Sequence, residues 1–131
     1  MALRPQYRAF LLELFEAFGP VSVRPMFGGA GIFAGEVMFG LVSDERVYLK
    51  TDETTRIDFD REGAQPFTFV KTKTGERIET AYLALPDRLY DERDEAAEWA
   101  RRAHEVAVRK SKSKRVTGRR RPGVRSRRKR S

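Results

Sequence analysis

The chain has 131 residues, 27 of them Lys or Arg and 19 Asp or Glu, for a formal net charge of +8. That length suits one compact domain with an appendage, and the absence of cysteine excludes disulfide scaffolds, thiolate zinc sites, iron–sulfur clusters and cysteine nucleophiles. A single histidine, His104, leaves a Ser-His-Asp triad arithmetically open but rules out multi-histidine metal sites.

Tyr7, Phe10, Leu11, Leu14, Phe15 and Phe18 recur at helical spacing and predict a first helix with one apolar stripe. Pro5 suits its first turn and Gly19-Pro20 stops it. Glu13 and Glu16 interrupt this run, so it cannot be the core of a signal peptide, and no apolar stretch approaches the ~20 residues of a membrane span. No membrane insertion is expected, and a cytoplasmic location is.

A β-rich stretch follows. Val21 and Val23 alternate with Ser22 and Arg24; Ile32-Phe33-Ala34 and Val37 to Val42 read as strands about a Gly35-Glu36 turn. Ser43-Asp44-Glu45 turns into a further strand, Arg46 to Lys50. Asp52 or Thr51 can cap a short helix through about Glu62, ended by Gly63. Pro66–Val70 and Arg77–Leu85 predict a hairpin around Thr74-Gly75, and Pro86 ends it. The last helix begins near Asp91, whose neighbours Glu92, Asp94 and Glu95 complement the helix dipole, and runs to about Arg109. Ala96, Trp99, Ala100, Ala103 and Val106 form its buried stripe. The order is one helix, three or four strands, a helix, two strands and a helix. The expected class is α+β, an antiparallel sheet packed by helices in two layers.

The net charge is unevenly divided. Residues 109–131 hold 13 Lys and Arg and no acid, so residues 1–108 carry the other 14 basic residues and all 19 acidic ones. The folded domain is therefore expected over 1–108, slightly anionic, and residues 109–131 as a disordered basic tail with too little apolar surface to order itself. Within it, Arg115, Arg119, Arg120, Arg121, Arg125, Arg127, Arg128, Lys129 and Arg130 are dense enough to replace counterions on a phosphate backbone. No aromatic is interleaved, so the expected contact is independent of base sequence and weakened by salt. A solvated appendage, a tail folded back onto the acidic start of the last helix, association with an anionic membrane and an acidic protein partner are the competing readings.

Other motifs are weaker. Gly29-Ala30-Gly31-Ile32-Phe33-Ala34 fits G-x-G-x-x-A, but a strand and a hairpin follow where a dinucleotide site needs a helix. The glycines are expected instead at a bend or bulge, with Met26 and Phe27 buried beside it. His104 is expected at the surface or boundary of the last helix. Asp58 and Asp60 do not face one way, and Asp52-Glu53 fits capping. Lys50 and Lys71, near strand ends, suit either an anionic ligand or the protection of sheet edges. No catalytic, metal or cofactor-binding set emerges.

Met26-Phe27-Gly28-Gly29-Ala30-Gly31-Ile32-Phe33, then Met38 to Val42 and Val47-Tyr48-Leu49-Lys50, resemble the N-terminal domain of the TfoX/Sxy family. Segments 66–69, 82–86 and 99–100 fall where that family has similar ones, so the resemblance spans roughly residues 4–108. It implies a bacterial α+β domain of a non-enzymatic regulator of natural competence. Such regulators act with a cyclic-AMP-responsive activator, which makes a transcription factor or polymerase the implied partner. Met26, Phe27, Gly28, Gly29, Gly31 and Lys50 match family motif positions, with a structural role expected. Full-length members continue into a helical C-terminal domain; a stand-alone member with a basic tail is the expectation here. A protein-interaction module without nucleic acid, or a small-ligand sensor beside Gly28–Gly31, are the alternatives.

Overall fold

Helix α1 (Pro5–Leu14) starts on its proline, and a following turn carries Phe15 and Phe18 into the interior. The helix is one turn shorter than the apolar stripe predicts, because the backbone turns at Phe15 before Gly19 (φ 137°) redirects it. The computed structural model describes residues 3–26 and 29–120, with side chains through Lys112.

Four strands then meander: β1 (Ser22–Met26), β2 (Gly29–Ala34), β3 (Val37–Ser43) and β4 (Arg46–Lys50). Asp44 and Glu45 form a two-residue β3–β4 turn with φ of 53° and 56°, the mirror-image turn whose twist matches a hairpin. After α2 (Arg56–Arg61) the chain lays down β5 (Pro66–Val70) at the far edge. It returns as β6 (Arg77–Ala84) between β4 and β5. The sheet order is β1-β2-β3-β4-β6-β5, antiparallel throughout. Pro25 sits in β1, an edge strand, where its missing N–H costs little.

A short 3-10 turn at Asp87–Asp91, which the sequence reading did not anticipate, leads into α3 (Arg93–Arg120). This helix runs past the predicted end near Arg109. Residues 109–120, expected to be disordered, are therefore helical, since lysine and arginine are good helix formers and no proline intervenes before Pro122. Residues 121–131 lie outside the described ones.

Both long helices cover one face of the sheet. Leu11 and Leu14 from α1, Phe15 from the turn after it, and Trp99, Ala100 and Ala103 from α3 share a core with Val23, Ile32, Val42, Val47, Leu49 and Leu83. The alanines of α3 let its backbone approach the sheet, and Trp99 stands edge-on to Phe59 of α2 at 4.7 Å. Phe39, fully buried, is ringed by Phe15, Phe18 and His104 at 6.0, 5.1 and 6.1 Å between centroids. The outer ends are tied by Arg88, which donates to Glu62 and Glu95, and by Arg93 with Glu13. Among the described residues no helix is long and apolar enough to cross a membrane.

Candidate functional site

Because side chains alternate across a strand, the register that buries Val23, Ile32, Val47, Leu49 and Leu83 sends their neighbours to the other face. Those neighbours are Arg24 and Met26 on β1, Gly31 and Phe33 on β2, and Met38 and Leu41 on β3. Arg46, Tyr48 and Lys50 follow on β4, and Ile78, Thr80 and Tyr82 on β6. Among the described residues no helix lies on this side, and most of these residues are half-buried or exposed.

The motif glycines belong to this face for a steric reason. A Cβ on Gly31 would stand 2.8 Å from the Met38 sulfur, 2.9 Å from the Met26 sulfur and 2.9 Å from Phe33 Cε1. A Cβ on Gly29 would stand 2.1 Å from the carbonyl oxygen of Val42. Both glycines lie within β2 rather than in the bend that was expected, and neither has positive φ. The bulge falls a residue later, between Ile32 and Phe33. Neither position has room for a methyl group without a neighbour moving. Met26 is half-buried against Gly31, whereas Phe27 and Gly28 lie outside the described residues.

Lys50 ends β4 with its ammonium 4.8 Å from the Tyr82 ring centroid. At the opposite side of the face the Arg24 guanidinium lies 4.2 Å from the Phe33 centroid and donates to the Gly35 carbonyl at 3.2 Å. Tyr48 meets Phe67 edge to face at 5.3 Å, and a cleft of about 370 Å³ opens beside it, lined by Arg46, Gln65, Ala84 and Asp87. Arg46 shares its charge with Asp87 at 3.5 Å. Burial pushes the Tyr82 phenol above its ordinary range, so it is a neutral ring at pH 7. The sequence analysis singled out Lys50 on this face but missed Arg24, Phe33, Tyr48, Phe67 and Tyr82. The signal was there in the alternation of Tyr48 and Lys50 with Val47 and Leu49.

The other candidates resolve differently. Arg115, Arg119 and Arg120 fall on the last turns of α3, while Arg121, Arg125, Arg127, Arg128, Lys129 and Arg130 lie outside the described residues. Arg109, first of the basic stretch, donates to Asp52 Oδ2 at 2.8 Å and so fastens α3 to the loop after β4. Asp52 also accepts from the Thr55 and Thr54 backbone N–H groups at 2.8 and 3.0 Å; these bonds, the Thr55 one foremost, hold its carboxyl below the usual range. It closes the turn before α2 rather than capping the helix itself. Asp58 pairs with Arg102 and Arg61, and Asp60 with Arg56. Lys71 pairs with Glu76 across the β5–β6 hairpin at 3.9 Å. His104 packs on Phe18 and Phe39 at the core boundary. Among the described residues no three His, Cys, Asp or Glu side chains gather as a metal site.

A two-layer α+β domain with an open sheet face and a basic helical extension is thus the class of protein these features define. The sequence profile of the TfoX N-terminal domain matches residues 13–107, and the chain belongs to that family. It is 38% identical over 56 residues to the DNA transformation protein TfoX1 of Aliivibrio fischeri (strain ATCC 700601 / ES114). The aligned stretch takes in 43% of this chain and 27% of that relative.

Proposed function

We propose that this protein is a non-enzymatic regulatory or accessory factor of DNA transformation, held on nucleic acid by its basic C-terminal stretch. Its folded domain then meets a protein partner of the transcription apparatus in the cytoplasm. Family membership and the transformation protein among its relatives support the regulatory part.

The nucleic-acid part is carried by one observation: residues 109–131 hold 13 basic side chains and no acid, while all 19 acidic residues precede them. Among the described residues, Val106 and Ala107 are the last buried ones of α3, and the helix continues to Arg120. Each Lys or Arg set against a phosphate releases a counterion, so binding falls steeply with salt.

The test is fluorescence anisotropy with a labelled duplex at about 50 and 200 mM salt. For ~6–10 phosphate contacts the affinity drops about 10³-fold or more between them. Replacing Arg115, Arg119, Arg120, Arg121, Arg125, Arg127, Arg128, Lys129 and Arg130 by Gln in the full chain weakens that binding and lowers its salt dependence. Duplex affinity unchanged by these replacements would refute the reading.

A further inference from the structure

The two edges of the sheet are finished differently. At β1, Arg8 donates to the Val23 carbonyl at 2.8 Å, and Pro25 has no N–H to offer. Proline, charge and covered backbone groups are the means by which sheet edges avoid pairing with other chains. The other edge has none of these along its length. It is formed by β5, whose five residues, Pro66-Phe67-Thr68-Phe69-Val70, include no charge and no proline after the first. Phe69 and Val70 are 45% and 49% exposed, two of the four large apolar side chains that stand open among the described residues.

The β5–β6 hairpin fixes where the backbone groups of this edge point. The Lys71 N–H donates to the Glu76 carbonyl at 2.9 Å, the Gln65 carbonyl accepts from the Ala84 N–H at 2.9 Å, and the Phe67 carbonyl accepts from the Thr80 hydroxyl at 2.8 Å. Residues 65, 67 and 71 therefore face β6. By alternation, Thr68 and Val70 turn their N–H and C=O groups away from the sheet, and Pro66 turns out its carbonyl. Among the described residues no strand lies beyond them.

We propose that β5 pairs antiparallel with β5 of a second copy of this chain, about a twofold axis at Thr68, so that two sheets become one. Thr68 then exchanges both backbone bonds with Thr68 of the second copy, and the Val70 N–H donates to the Pro66 carbonyl across the axis. The missing donor of Pro66 leaves only the Val70 carbonyl, at the end of the ladder and open to water. On the open face Phe67 meets Phe69 of the second copy, which extends the edge-to-face contact of Phe67 with Tyr48 across the join. On the helix side Val70 meets Pro66. No like charges stand opposite one another. Lys71 falls against Gln65 and is paired with Glu76 at 3.9 Å, and the next row, on β6, holds Arg77 and Glu79, one of each sign. Joining β5 to β1 of another copy would propagate head to tail into a fibre. Arg8 and Pro25 oppose that join, so the assembly closes at two. Five residues from each copy bury less than the ~1,600 Å² of a standard interface, which makes this a weak dimer with a Kd on the order of 10 μM. None of these residues belongs to the basic stretch, so the proposal stands apart from the function proposed above.

The full chain is freed of nucleic acid by nuclease and held at about 500 mM salt, so that the basic stretch cannot bridge copies. Sedimentation velocity from about 2 to about 300 μM, which brackets that Kd, should show monomer converting to dimer and stopping there. Phe69→Lys and Val70→Lys replace exposed apolar side chains and bring lysines together across the axis. Each should raise Kd more than about tenfold with an unchanged far-UV circular dichroism spectrum. Ser22→Lys adds the same charge on β1 and should leave Kd alone. The chain holds no cysteine, so single substitutions read the register. Thr68→Cys, about 5.5 Å from its twin between Cα atoms, should cross-link with a short bismaleimide where Ser22→Cys does not.

The proposal is overturned if the chain stays monomeric throughout, or if Phe69→Lys and Val70→Lys both leave Kd unchanged. It is equally overturned if Ser22→Cys cross-links as readily as Thr68→Cys, or if species larger than a dimer accumulate. A monomer at every concentration would give the β5 edge to an extended segment of another protein instead of a second copy. The nucleic-acid reading, tested at lower salt, stands or falls separately.

Discussion

Substituting the two motif glycines of β2 one at a time separates backbone crowding from side-chain crowding. Alanine at 29 would place its methyl 2.1 Å from the Val42 carbonyl oxygen, more than 1 Å inside van der Waals contact. Val42 is fixed in the β3–β4 ladder opposite Val47, so relief requires the end of the β2–β3 pairing to open. Overpacking of this kind costs about 3 kcal/mol, the upper end of its usual range. Alanine at 31 meets two methionine sulfurs and a phenylalanine edge at 2.8–2.9 Å, all of them ends of side chains that can swing away. Its cost is about 1 kcal/mol, and the smaller unfolded-state entropy of alanine, common to both variants, cancels from the comparison. The expected difference between the variants is thus about 2 kcal/mol. Urea unfolding followed by the fluorescence of Trp99, buried against Phe59, reads it directly: for a slope of ~1.5 kcal/mol/M the midpoints separate by about 1.3 M. Equal midpoints for Gly29→Ala and Gly31→Ala would show that close backbone approach is not what requires glycine at 29.

Phe39→Ala removes a fully buried ring from among Phe15, Phe18 and His104 and should cost about 3–5 kcal/mol in chemical denaturation; a loss below 1 kcal/mol would contradict this packing. Glu45→Gly relieves a left-handed residue at φ 56°, worth ~1–2 kcal/mol. It forfeits only an exposed, solvent-screened ion pair with Arg4. The melting temperature should therefore rise by a few degrees, and a fall would mean that the Arg4 pair governs the turn. The carboxyls of Glu95, beside Arg88, and Asp52, bonded to the Thr55 amide and Arg109, are held below their ordinary values. Their contribution is complete above the ordinary carboxylate range, about pH 4, and disappears as pH falls through the lowered values. Melting temperature against pH should accordingly flatten on the acid side in Glu95→Gln and Asp52→Asn. Tyr7 shifts upward, chiefly by burial, so its contribution is complete below about pH 10 and is lost as pH rises beyond; Tyr7→Phe should blunt the alkaline decline.

Much of the architecture was legible from local pattern. The stripes of Tyr7–Phe18 and Ala96–Val106, the turns at Gly35, Asp44 and Gly75 and the stop at Pro86 each rest on chemistry confined to a few neighbouring residues, and the elements fall there. The ends of elements were less legible. The early turn at Phe15, the 3-10 turn at Asp87–Asp91 and the run of α3 to Arg120 are settled by small differences between helix, turn and coil that no single residue announces.

The open face is where tertiary structure decided. Strands such as Val37–Val42 are apolar on both sides, so alternation alone could not say which side the helices cover. The placement of β6 between β4 and β5 brings Tyr82 beside Lys50 across 32 residues of chain. The glycines tell the same story. Their presence in a motif was plain from the sequence, but the Val42 carbonyl over Gly29 and the two methionine sulfurs over Gly31 come from other strands. The sequence by itself determined the helices, the meander, the hairpin and the separation of charge, because these follow from the chemistry of adjacent residues. Only the folded sheet decided which rings and cations share a surface, because that depends on long-range pairing between segments distant in the chain.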